Sequence, residues 1–103
     1  MRTHLALLVF LFLATRALPA EPTADDRKAA QAAVDRADKL GDAGKIDEAM
    51  KELDHAIQLD PKNAKAFRCR GWCWGKKGDW KRSIMDLDEA LRLDPSAIPP
   101  HMN

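Results

Sequence analysis

The sequence predicts an all-α fold, an α-solenoid of two antiparallel helix-turn-helix hairpins. Three observations predict it. The stretches Ala56-Ile57-Gln58-Leu59-Asp60-Pro61 and Ala90-Leu91-Arg92-Leu93-Asp94-Pro95 end alike, with prolines 34 positions apart. At the same offset and without a gap, Ala30, Ala32, Arg36, Gly41, Gly44, Leu53 and Asp54 meet Ala64, Ala66, Arg70, Gly75, Gly78, Leu87 and Asp88. Within each unit the apolar residues recur at helical spacing.

Thr23 with Asp26 has the pattern of a capping box, which starts the first helix at Ala24. That helix passes through Ala37 and Leu40 and runs out at Gly44. The second presents Ile46, Ala49, Met50, Leu53, Ala56 and Ile57 before Pro61. In the third, Phe67, Gly71 and Trp74 stand at i, i+4 and i+7, and Gly78 ends the run. Asp79 is a good N-cap for the fourth helix, whose apolar face is Trp80, Ile84, Leu87, Ala90 and Leu91. Pro95 keeps it from continuing. The small residues act sterically. Ala37 or Gly71 lets one helix approach its neighbour, and Ala49 or Ser83 accepts the large side chain opposite.

The chain here resembles the tetratricopeptide repeat (TPR) family, whose 34-residue helix–turn–helix unit has large, small and large residues on helix A. The second unit fits with Phe67, Gly71, Trp74, Gly78, Trp80, Ser83, Leu87, Ala90 and Pro95. The first fits with Ala37, Leu40, Gly44, Ala49, Leu53, Ala56 and Pro61, but has Ala33 where a large residue is usual. Arg36 and Arg70 replace the aliphatic residue the family usually carries. The resemblance implies a TPR-like domain over 24–95, with units at 30–63 and 64–97, and a Pro-containing unstructured tail at 96–103. It also implies an adaptor or scaffold that binds a protein or peptide.

The whole chain has 103 residues, room for one domain. Met1-Arg2 opens it, and ten uncharged apolar residues follow from Leu5 to Ala14 before Arg16. This matches a signal peptide over 1–20, cleaved near Ala17 or Ala20, and implies a periplasmic or secreted protein. The run is too short for a stable membrane span of roughly 20 apolar residues. A buried N-terminal helix or an uncleaved anchor is the alternative. With 17 basic and 16 acidic residues, the chain has no general electrostatic bias toward nucleic acid. The sign is unevenly divided, however. Residues 30–63 sum to −3 and residues 64–97 to +3, as expected for an acidic unit stacked on a basic one.

No residue stands in a catalytic pattern, no cofactor or metal set is evident, and an enzyme is not expected. His55 on the second helix reads as an exposed helix residue. Cys69 and Cys73 lie four apart on the third helix, where Cβ atoms sit about 5–6 Å apart. A disulfide needs about 3.5–4.5 Å. Two packed small residues are the expectation. A thiol-based redox or metal-binding protein of the export compartment is the alternative, and a truncated repeat protein with no independent role is a further one.

Two surfaces stand out. Lys65, Arg68, Trp72 and Lys76 form one stripe on the third helix, which by resemblance faces the concave groove. Gln31, Val34, Asp38 and Asp42 oppose it. A Trp flanked by cations suits an extended acidic or C-terminal peptide, although only Lys65 matches the carboxylate clamp some family members carry. The second surface is Trp80, Ile84, Met85 and Leu91 on the last helix, which no following helix covers. It is expected to support weak homo-oligomerisation or to receive a partner helix.

Overall fold

The computed structural model describes residues 20–97. The leader read over residues 1–20 lies, apart from Ala20, outside the described residues, as does the tail beyond Ala97. Four helices follow one another: α1 (Ala24–Asp42), α2 (Ile46–Leu59), α3 (Ala64–Lys76) and α4 (Trp80–Leu93). α1 with α2, and α3 with α4, form two antiparallel hairpins. The fold is therefore all-α and TPR-like. α3 lies in the notch between α1 and α2 and also carries α4.

The helix ends follow from their residues. Thr23 accepts from the Asp26 amide at 3.0 Å, and the Asp26 carboxylate accepts from the Thr23 amide at 3.0 Å. Asn63 and Asp79 cap α3 and α4 by accepting from the amides of Ala66 and Arg82. The turns inside the two hairpins are the same motif. Gly44 and Gly78 have φ of 79° and 81°, which only glycine adopts cheaply. Each closes a C-terminal cap in which the next amide, Lys45 or Asp79, reaches back to the carbonyl of Leu40 or Trp74, at 2.8 and 2.9 Å. The Leu-Asp-Pro signature has an equally local cause. Asp60 accepts from the Lys62 amide and Asp94 from the Ser96 amide, each across the intervening proline.

The core is built largely of small residues. Ala30, Ala33, Val34, Ala37, Ala49, Leu53, Ala56 and Ala66 are buried, with Met50 and Cys73 beside them. In the second hairpin α3 and α4 touch closely at Gly71. A Cβ there would lie 3.0 Å from Leu87 Cγ and 3.1 Å from the Ser83 carbonyl oxygen. The backbone oxygen cannot swing aside, so the small residue at this position is required.

Arg36 and Arg70, out of place against an aliphatic pattern, brace the hairpins. Arg36 Nη2 lies 3.0 Å from Glu52, and Arg70 makes two bonds to Asp86, at 2.8 and 2.9 Å. Glu52 and Asp86 are themselves 34 residues apart, so the brace repeats with the unit. Asp86 is buried, and the fork geometry matches guanidinium to carboxylate. Between hairpins the opposite charges of the two units meet: Arg70 with Asp54 at 3.1 Å, Lys65 with Asp38 at 3.7 Å, and Lys77 with Asp47.

Three stability outcomes follow. Gly71→Ala gains about 1 kcal/mol of helix propensity. It loses about 1–3 kcal/mol to overpacking against a fixed carbonyl, so urea denaturation should show a net loss. Asp86→Ala should cost about 2 kcal/mol, because it removes both bonds to the buried carboxylate and leaves the half-buried Arg70 only the exposed Asp54. Arg70→Leu combined with Asp86→Leu should cost less than the two single substitutions added together, in the same assay.

Candidate functional site

α3 sets the site. Its close fit into the notch leaves an open cleft of about 720 Å³ between the second half of α1, one side of α3 and the start of α4. Asp38, Gly41, Asp42, Arg68, Cys69, Trp72, Lys76 and Trp80 line it. Five of the six residues expected at a binding groove thus come together. The sixth, Lys65, does not line the cleft and is held by Asp38.

Trp72 is both packed and available. Its ring edge rests on the α1 backbone, where a Cβ on Gly41 would lie 3.2 Å from Cζ3. The side chain is still 40% exposed. Lys76 Nζ sits 5.1 Å from the centre of its ring, a cation–π placement worth about 0.5–1 kcal/mol at an exposed site. Gly75 gives Trp80 the same kind of seat: a Cβ there would be 3.3 Å from the Trp80 ring. The glycine pair 41 and 75 is visible in the repeat. That each glycine receives a tryptophan, and that Trp80 reaches the cleft, was not legible from one helix face at a time.

Three groove expectations change. Val34, placed on the stripe opposite α3, is fully buried, because α3 closes over that edge of α1. Arg68 donates to the Ala97 carbonyl at 3.2 Å, which draws the chain after α4 toward α3. Asp38 is engaged twice, by Lys65 and by the Cys69 thiol, which donates to Oδ1 at 3.3 Å. Lys76 and Asp42 keep their charges at the cleft without an ion pair to any described residue.

Both thiols are free. Burial, then the neighbouring Asp38 charge, pushes the Cys69 thiol up to about 11, and burial raises Cys73 in the same direction. Such thiols are protonated near neutrality and poor nucleophiles. Among the described residues no group of three or more His, Cys, Asp and Glu side chains could hold a metal ion. His55 is an exposed residue on α2. Trp80, Ile84, Met85 and Leu91 are all exposed on α4, but Met85 follows Ile84 by one residue and points about 100° away from it. It stands apart from the other three. No described helix is long and apolar enough to cross a membrane.

Fold and cleft define a small helical-hairpin domain of the TPR-like class, and sequence comparison points to the same class. No family model matches the chain. It is 34% identical over 61 residues to the TPR repeat-containing thioredoxin TTL4 of Arabidopsis thaliana, covering 59% of this chain and 9% of that protein. It is 32% identical over 63 residues to the inactive TPR repeat-containing thioredoxin TTL3 of the same plant, covering 61% and 9%. With Hsp70-Hsp90 organizing protein 1 of Glycine max it shares 34% identity over 71 residues, 69% of this chain and 12% of that protein. The chain thus spans about a tenth of the length of these relatives.

The raised thiol pKa values set an outcome for labelling. At pH 8 a disulfide reagent should modify Cys69 and Cys73 at least about tenfold more slowly in the native protein than in denaturant. A folded pKa above the unfolded one means that the native state holds the proton more tightly. Stability should therefore be fully present below about pH 9 and fall as pH rises toward about 11.

Proposed function

We propose that this protein is an exported, non-enzymatic interaction module that holds an extended segment of another protein in the α1–α3–α4 cleft. The observation that carries the proposal is Trp72, seated on Gly41 and still 40% exposed, with Lys76 over its ring. A rigid indole at the floor of a cleft is a good anchor, since aromatic residues dominate binding hot spots. Lys76 beside it favours an acidic side chain in the bound segment, and Asp42 across the cleft disfavours a second one. The names of the relatives support a protein-binding role in general terms, one of them being an organizer of two other proteins. Export rests on the N-terminal sequence pattern alone.

The thiol alternative has weaker support, because both sulfurs are buried to some degree and shifted away from the thiolate. Affinity capture from the compartment in which the protein resides, repeated with variants, tests the proposal. Trp72→Ala should lower recovery of the specific partner about tenfold or more, as expected for a hot spot of about 2 kcal/mol. Lys76→Glu should lower it severalfold, and more at low salt than at high salt. Undiminished capture of the same partner by both variants would exclude the cleft as its binding site.

A further inference from the structure

The two hairpins repeat in sequence but not in what covers them. On α4, Trp80, Ile84, Leu87 and Leu91 stand at i, i+4, i+7 and i+11 and form one stripe. Their counterparts on α2 are Ile46, Met50, Leu53 and Ile57. There Met50 and Leu53 are buried, and Ile46 and Ile57 pack against the core. On α4, Trp80 is 67% and Ile84 58% exposed, Leu91 is exposed as well, and Leu87 is half-buried.

The flanking charges say what fits. Beside the α2 stripe stand Asp47 and Asp54, both acidic, and both satisfied by cations of α3 and the turn after it, Arg70 and Lys77. At the same places on α4 stand Lys81 and Asp88, of opposite sign. Both are exposed, and neither makes an ion pair with another described residue. A stripe at 80, 84, 87 and 91 is symmetric about the level between Met85 and Asp86. Laid antiparallel on a second α4, it sets Trp80 against Leu91 of the other copy and Ile84 against Leu87 of the other copy. In antiparallel helix pairs, residues that flank the seam on the same side meet each other. Lys81 of each copy then meets Asp88 of the other. The α2 pattern, acidic at both places, would repel itself in this arrangement.

Head-to-tail stacking does not fit. Ala66 and Cys73, which α3 buries against the first hairpin, have Ala32 and Lys39 as counterparts on α1. Both are exposed, and Lys39 would place a charge where α3 offers a packed thiol. Among the described residues, α1 therefore offers no seat for a second α4, whereas α4 offers a self-complementary face.

We propose that the chain forms a two-fold symmetric dimer through antiparallel α4 helices, with a second copy of itself as the occupant of the stripe. Isologous contact closes the assembly at two subunits. A single helix pair is a small interface beside the about 1,200–2,000 Å² of a stable one, so the dimer is expected to be weak, with a dissociation constant on the order of 10 µM to 1 mM. The cleft and the stripe share Trp80 and Leu87, but the dimer does not depend on the cleft binding a peptide.

Sedimentation equilibrium of the full-length chain up to about 1 mM, with circular dichroism to check helicity, tests this. Lys81→Asp and Asp88→Lys should each weaken dimerisation about tenfold, by removing two ion pairs and creating two like-charge contacts. Ile84→Ser should weaken it as well, since it truncates an exposed side chain outside the core. The double variant Lys81→Asp with Asp88→Lys should return to within about threefold of wild type, because swapping both signs restores both pairs. A wild-type chain that stays monomeric throughout would overturn the proposal and leave the stripe to a helix of another protein. Single swaps without effect, or a double variant as weak as the singles, would overturn the two-fold antiparallel arrangement.

Discussion

The fit of α3 into the notch between α1 and α2 is the contact on which the rest depends. It buries Ala66 and Cys73 in one cluster with Val34, Met50 and Leu53. It brings the basic second unit against the acidic first, where Arg70, Lys65 and Lys77 meet Asp54, Asp38 and Asp47. It also leaves the cleft on its other side, floored by Trp72 on Gly41. One hairpin alone would expose the stripe that α3 covers, and exposed apolar area of that kind costs about 25 cal/mol per Å². The two hairpins therefore stabilise each other.

Within each hairpin a different device operates. Small residues allow close approach, as at Gly71 against Leu87 and the Ser83 carbonyl. An arginine on the first helix then bridges to an acid on the second. The two braces differ in strength by environment: Arg36 and Glu52 are substantially exposed, while Asp86 is buried beneath Arg70. Exposed pairs contribute about 0–1 kcal/mol, so the brace matters mainly in the second hairpin. That hairpin needs it more, since the far side of α4 packs on nothing among the described residues.

Much of the fold was legible in the sequence because its signals are local. The capping box at Thr23, the left-handed glycines 44 and 78, and the Leu-Asp-Pro turns depend on residues within a few positions of one another. The candidate site was legible in composition but not in commitment. Lys65 and Arg68 stand on one stripe of α3 by projection, yet each is spent inside the molecule, on Asp38 and on the Ala97 carbonyl. Helical projection gives the angle of a side chain; it does not say which neighbour arrives there. Val34 shows the same thing, being on the groove side of α1 by projection and buried by the arrival of α3. The Arg36–Glu52 and Arg70–Asp86 braces share the 34-residue offset and were in principle visible. Recognising them required a pairing across 16 residues that periodicity within one helix cannot supply.

Native-state hydrogen exchange tests most directly whether the two hairpins form one cooperative unit locked by α3. The slowest amides of α2 and of α3 should open with the same free energy, within about 1 kcal/mol, and respond alike to denaturant. A first hairpin whose slowest amides exchange several kcal/mol more easily than those of α3 and α4 would contradict the account.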